Sequence, residues 1–396
     1  MDKFSKSIGE YFQDIQQMFK SAIENNVQDI ILVSGERPVF KINGSRRKMH
    51  DLTPWVNETY DVFLGFINYG NKLLEKPNTP AEAEALEEKK IKLVKGIYAK
   101  TMIIEKGSYD CNFSFGKKHL RCHMITASPK GKIGGKVEMI QPVITMRVIP
   151  KEIPDYSKLN LPSINPILTH KKGLVLFAGD AGVGKSTSVA SLVNIFNQNE
   201  DRLRTILTLE EPVEFVHQNK NAVIIQRRVG KDGDVPNYTR ASTDALREDI
   251  DIVVLQELRE ESEINNAIRL VETGKLVIAS IHSRSVAETF DRILGEFKAE
   301  DKEKTKARLV TNLLAIVHQT LITHKGSQYP LVNMLIVNND STRDKLRNAL
   351  KSPNYIKQIE GIISDLPNSE GLNLEQGFNF LVSKGILTEE DRQRFF

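Results

Sequence analysis

Cysteine is scarce in this chain: Cys111 and Cys122 stand eleven positions apart, with no second pair. A disulfide scaffold is thereby excluded, and a four-cysteine zinc element would need closely spaced ligand pairs that are missing. His119 and His123 are near, but two thiols in a reducing compartment account for the pair without a metal. Long apolar runs are also lacking. The stretches Gly173 to Gly179 and Leu276 to Ile281 are strand-sized, far short of the roughly 20 residues of a membrane-spanning helix. The start, Met1-Asp2-Lys3-Phe4-Ser5-Lys6, has none of the apolar core of a signal peptide. A cytoplasmic chain with no transmembrane segment is expected, one that docks on any membrane machine it serves. Charge of one sign is missing too. With 55 basic and 51 acidic side chains, the formal charge is +4 over 396 residues, too weak and dispersed to argue for nucleic-acid binding. The basic cluster Arg46-Arg47-Lys48 follows a Gly turn and reads as a solvated face.

What is present is 40% hydrophobic and 27% charged residues, the balance of a globular protein long enough for two domains. Ile8, Tyr11, Phe12, Ile15, Met18, Phe19 and Ile23 recur at helical spacing. Strand candidates follow at Ile30 to Val33 and Pro38 to Gly44, the latter ending in an Asn-Gly turn, then at Tyr109 to Phe115, Leu120 to Thr126 and Val143 to Val148. Residues 1–150 therefore read as a small α+β domain. Within it, a charged insertion near 67–100, rich in Glu, Lys and Ala after Pro77 and Pro80, reads as a solvated helix. Residues 151–162 look like a linker. From 163 to 396 the pattern is α/β, with buried-strand candidates at Gly173 to Ala178, Thr205 to Leu209, Asp251 to Leu255 and Leu276 to Ile281, and a helical tail from about Arg343.

The strongest chemical signal is Gly179-Asp180-Ala181-Gly182-Val183-Gly184-Lys185-Ser186, followed by Thr187. It comes after an expected strand and opens an expected helix, Ser186 to Phe196, the context a phosphate-binding loop requires. Glycines let main-chain N–H groups turn toward phosphate, and the helix N-terminus adds its positive end. Lys185 would reach the β- and γ-phosphates of ATP, and the Ser186 hydroxyl would hold Mg²⁺. A nucleotide site also needs a group that orients water, and carboxylates at strand ends supply it. The candidates are the cluster Glu210-Glu211-Pro212-Val213-Glu214 and Glu257. His282 ends the next strand candidate, where it could sense the γ-phosphate. Arg227, Arg228, Arg240, Arg247 and Arg292 are numerous enough to include some that stabilise a transferring phosphate.

In these residues the sequence resembles the ATPases of type II secretion, type IV pili and type IV secretion, above all the type IV pilus retraction ATPases (PilT-like). The family's acidic box matches Glu210-Glu211-Pro212-Val213-Glu214-Phe215-Val216-His217. Its Ala-Leu-Arg-Glu-Asp segment and second Walker motif match Ala245 to Asp249 and Asp251 to Glu257, and its histidine box matches Ile281-His282-Ser283 with Asp291-Arg292. Gln28-Asp29-Ile30 and Met146 to Pro150 are similar to its N-terminal module. The resemblance implies a RecA-like P-loop domain behind a PAS-like N-terminal domain, assembled as a homo-hexamer peripheral to the inner membrane. Glu257 and Glu214 would be catalytic acids, with Glu257 polarising the attacking water. Glu211 would assist Mg²⁺, partly through water, and Arg227, Arg247 and Arg292 would lie near phosphate. The expected role is ATP-driven pilus retraction on an inner-membrane platform protein. The alternatives are a conjugative transfer or type IV secretion ATPase, a nucleotide-binding regulatory ring without robust hydrolysis, and a nucleic-acid translocase. Three departures from the pattern stand out. Gln256 replaces the usual Gly, which is expected to crowd the site. Glu211 replaces Asp, and Ser341 to Asn348 only hints at the retraction-specific motif.

Overall fold

The computed structural model describes residues 8–25, 27–33, 35–42, 45–54, 63, 108–115, 118–127, 141–149, 152–211, 213–230 and 233–395. The chain divides into two units, Met1–Lys151 and Glu152–Phe396.

The first unit opens with helix α1 (Ile8–Glu24). Tyr11, Ile15, Met18, Phe19 and Ala22 are buried, three and four positions apart, so one stripe of the helix faces a core. Its sheet has the order β3-β2-β1-β6-β5-β4. The strands are β1 (Asp29–Val33), β2 (Val39–Ile42), β3 (Ser45–Lys48), β4 (Ser108–Phe115), β5 (Lys118–Ala127) and β6 (Gln141–Ile149). Every neighbouring pair runs antiparallel. Alternation sends Ile30 and Leu32 inward with Phe40, Cys122, Ile144 and Met146, as period-two strands with one buried face require. Asp29 faces Arg147 across the β1–β6 pair and holds it at 3.0 Å, with Lys41 at 3.5 Å. The two segments that resemble the family's N-terminal module thus meet in space. The charged insertion near 67–100 lies outside the described residues.

The second unit is a mixed sheet in the order β14-β13-β12-β7-β11-β10-β8-β9. Strands β7 (Gly173–Ala178), β8 (Thr205–Glu210), β9 (Val223–Arg228), β10 (Ile252–Leu255), β11 (Leu276–Ile281) and β12 (Leu313–His324) are parallel neighbours, while β13 (Ser327–Ile336) runs antiparallel to β12 and β14 (Gly371–Leu372) antiparallel to β13. Helices cover both faces, which explains strands that read as unbroken apolar runs. On β7, Leu174, Leu176 and Ala178 enter one core, and Val175 and Phe177 enter the other. The first core also takes up α3 (Tyr238–Ala245), α4 (Glu261–Glu272), α5 (Val286–Gly295), α6 (Ala299–Asn312), α7 (Asp340–Ala349) and α8 (Tyr355–Asp365). The second is filled by α2 (Lys185–Gln198) through Val189, Leu192, Val193 and Phe196. A further helix, α9 (Leu374–Ser383), packs on the outer part of β12 and β13.

The expected linker proves to be part of this second unit from Glu152 onward. Tyr156 and Leu161 sit in its core, and the Tyr156 hydroxyl donates to the Pro162 carbonyl at 3.2 Å. Prolines punctuate the segment, but two large apolar side chains tie it down. Strands β9, β12 and β13 were not among the sequence candidates. Their arginines, histidines and glutamines break the apolar pattern, although Lys325 (φ 49°) and Gly326 (φ 79°) form a two-residue turn between His324 and Ser327. A Lys-Gly pair with both residues left-handed is a hairpin turn, and it is the signal that could have located β12 and β13.

Candidate functional site

Strand β7 delivers the chain at the carboxyl edge of the sheet, and α2 begins seven residues later. Between them Gly179, Gly182 and Gly184 take φ values of 139°, 80° and 92°, a region that other residues enter at a cost. Asp180, Ala181 and Gly182 are exposed, while Val183 is buried. Lys185 is 8% exposed. Its ammonium folds back over the loop and donates to the Gly179 carbonyl at 2.5 Å and the Asp180 carbonyl at 2.8 Å. Burial pushes its pKa down, and the negative charges of Glu257, Asp180 and Glu214 oppose that shift. A buried cation held by loop carbonyls at a helix N-terminus, within the field of three carboxylates, suits a polyphosphate. Ser186 and Thr187 are half-buried in the first turn of α2.

Three strand tips face this loop. At the end of β8, Glu210 is internal to the acidic box. Its carboxylate accepts from Thr208 Oγ1 at 2.7 Å, Gln226 Nε2 at 3.2 Å and the Glu214 amide at 3.1 Å. Desolvation raises its pKa against those three bonds. Glu210 therefore shapes the turn that presents Glu214. Ser186, Glu210, Glu214, His217 and Gln256 line one cleft. Glu211 is exposed, its carboxylate close to Gly230, and it is not among the described residues lining that cleft.

Past β10, Gln256 spans the gap between boxes. Its Oε1 accepts from the Glu211 amide, and its Nε2 reaches Glu214 Oε1 at 3.4 Å. The side chain that replaces glycine thus bridges the acidic box to the second Walker strand. Glu257 comes next and has both oxygens engaged. His282 Nε2 lies 3.0 Å from Oε1, and Arg259 reaches Oε2 through Nη2 at 2.7 Å and Nε at 2.8 Å. That pairing raises the pKa of Arg259. Arg259 was not singled out from the sequence; lying two residues past a strand-end acid is its only local mark. His282 stands at the end of β11, the neighbour of both β7 and β10, so the sheet itself brings histidine and glutamate together.

The arginines divide. Arg227 on β9 pairs with Glu248 at 2.9 Å, joining the edge strand to the Ala245–Asp249 segment. Arg292 on α5 holds Glu296 and donates to the Arg259 carbonyl at 3.2 Å, supporting the loop that carries Glu257. Arg240 pairs with Asp244 at 3.0 Å, and Arg247 is exposed. An open cleft beside the phosphate loop is lined by Asp180, His282, Arg284, Glu288 and Arg292.

A parallel sheet with a glycine loop after its inner strand and acids at the neighbouring tips defines a P-loop, RecA-like nucleotide-binding fold. The sequence pattern of the family described as "Type II/IV secretion system protein" matches residues 142–350, and the chain belongs to that family. It is 32% identical over 255 residues to the "Twitching motility protein" of Neisseria gonorrhoeae, an alignment covering 64% of this chain and 66% of that one. Against the "Type IV pilus retractation ATPase PilT" of Pseudomonas aeruginosa it is 30% identical, covering 62% and 69%. The aligned stretch is thus about two thirds of each relative. Among solved structures, one titled "Crystal Structure of the Pilus Retraction Motor PilT and Bound ADP" matches with a TM-score of 0.65 and 26% identity, covering 92% of this chain and 96% of that one. The Legionella pneumophila ATPase DotB shares the fold at a TM-score of 0.75 and 21% identity, with coverage of 98% and 95%.

Proposed function

We propose that this chain is an Mg²⁺-dependent ATPase subunit that drives retraction of a type IV pilus. The observation that carries the reading is the buried Lys185 at the mouth of α2, with the charges of Glu257 and Glu214 brought near it by the segments that follow β10 and β8. The names of the relatives, a twitching motility protein and a pilus retraction ATPase, supply the choice of machine. When bound, ATP supplies the phosphoanhydride whose cleavage drives movement, with Mg²⁺ neutralising its charge.

In this reading the amides of residues 182–187 and the Lys185 ammonium bind phosphate, and the Ser186 hydroxyl would hold the metal ion, while Glu211, turned toward Gly230, stands outside the cleft that Ser186 lines. Glu257 orients and deprotonates the attacking water, and Glu214 stands by as the second acid. His282 fixes Glu257 and reports on the terminal phosphate. Both oxygens of Glu257 are occupied by Arg259 and His282, so one contact opens before the carboxylate takes a proton. Arg227, Arg247 and Arg292 belong to the charge network around phosphate, with Arg247, the exposed member, available to a neighbouring subunit. The working form is a homo-hexamer, docked at the cytoplasmic face of the inner membrane on a platform protein.

The test uses two variants. Lys185→Ala loses nucleotide binding, because the fixed cation on the phosphates is gone. Glu257→Gln keeps ATP bound and lowers turnover at least about a hundredfold, the usual worth of a positioned base. Wild-type affinity in the first variant sinks the site; near-normal turnover in the second moves the base to Glu214. A deletion strain with surplus surface pili that no longer retract supports the machine, whereas lost DNA or effector transfer with normal pili overturns it.

A further inference from the structure

Strand β12 pairs with β7 as far as His318 opposite Ala178. The next residue, Gln319, is 1% exposed and lies under the phosphate loop. Its Nε2 donates to the Val183 carbonyl at 2.7 Å, and its Oε1 accepts from Ser188 Oγ at 2.9 Å. The Ser188 hydroxyl is also 3.2 Å from the Gly184 carbonyl. The main-chain oxygen of Gln319 would stand 2.3 Å from a Cβ on Gly179, and its Nε2 would stand 3.3 Å from one on Gly184. One buried residue, 136 positions away from Val183, therefore touches the loop at its start, its crest and its end, and the helix after it.

The bond to Val183 has a directional consequence. In a trans peptide the carbonyl and the following N–H point opposite ways. Holding the Val183 oxygen inward, against β12, turns the Gly184 N–H outward, to the side where phosphate would lie. Gly184, on the far side of this peptide, takes a φ of 92° and resists rotation there little, so a restraint from outside the loop fixes it. We propose that Gln319 is a positioning residue for phosphate binding, fixing the Val183–Gly184 peptide so that its amide faces the phosphates. The proposal rests on the nucleotide site proposed above.

The test compares Gln319→Met, which keeps the volume and loses both bonds, with Ser188→Ala, which leaves the bond to Val183 intact. ADP affinity is measured by calorimetry, KM and kcat for ATP by phosphate release, and folding by the urea midpoint. Gln319→Met is expected to bind ADP about tenfold more weakly and to raise KM by a similar factor, with kcat within about twofold; Ser188→Ala stays within about twofold in affinity. These factors follow from one hydrogen bond lost or kept. Should Gln319→Met fail to accumulate folded, Gln319→Glu, which keeps the acceptor for Ser188 and loses the donor to Val183, is expected to show the same loss. ADP affinity unchanged in the position 319 variant, or equally weakened in Ser188→Ala, assigns Gln319 to packing and overturns the role. A wild-type chain that binds no ADP overturns the nucleotide site as well, which separates the two failures.

Discussion

At neutral pH the imidazole of His217 is held uncharged behind the acidic box. It is half-buried, with its Nδ1 buried and unpartnered, and desolvation pushes its pKa down to about 4. In the unfolded chain a histidine titrates near 6.5. The folded state thus binds fewer protons between those values, so stability is fully present above about pH 6.5 and is lost as the pH falls toward 4. The amount is on the order of 3 kcal/mol. The urea midpoint of the wild type is therefore expected to fall more between pH 7 and pH 5 than that of His217→Gln, and equal falls would place the acid sensitivity elsewhere. Legibility at this scale tracked distance along the chain. The glycine loop with Lys185 and Ser186 was legible as a motif because its residues are contiguous. Arg259, Gln226 and Gln319 could not, because their chemistry is created by partners that only the fold supplies.

At the level of elements, the segment Ser341 to Asn348 shows how a motif can carry a framework role. It forms most of α7, and Arg343 points its guanidinium at the end of α6 and the strands beyond. It donates to the carbonyls of Val310, Thr311 (2.8 Å), Leu313 (3.2 Å) and Val337 (3.1 Å). The last carbonyls of a helix have no partner within it and carry its negative end, so a cation there is stabilising. Burial lowers the arginine pKa while these acceptors satisfy its donors. Arg347, by contrast, pairs on the surface with Asp344 at 2.7 Å. Arg343→Met, which keeps the stem and strands the carbonyls, is expected to cost about 2 kcal/mol, read from the urea midpoint; a loss under about 0.5 kcal/mol would mean water replaces the guanidinium. The sequence alone offered this segment as a partial match to a functional motif. The structure shows that one of its two arginines holds three elements together.

Over the whole molecule, composition and periodicity suggested a small α+β domain followed by an α/β one. The buried runs of β7, β8, β10 and β11 were legible because strands covered on both faces leave no polar interruptions. Strand β9 was not, since its exposed ends and its Gln226-Arg227-Arg228 close look like loop chemistry. Nor was β12, where His318, Gln319 and His324 interrupt an otherwise apolar strand.

Strand β3 carries one more consequence. Among the described residues it is one of the two edge strands of the first sheet, and all four of its side chains are exposed. An open edge invites a second molecule to pair with it, and charges there oppose such self-adhesion. Two copies meeting along β3 would bring Arg46, Arg47 and Lys48 of each within about 5 Å of the other strand. Replacing them (Arg46→Val, Arg47→Thr and Lys48→Val together) is expected to make concentrated solutions scatter light where the wild type stays clear. Salt near 1 M, where screening acts within about 3 Å, is expected to push the wild type the same way.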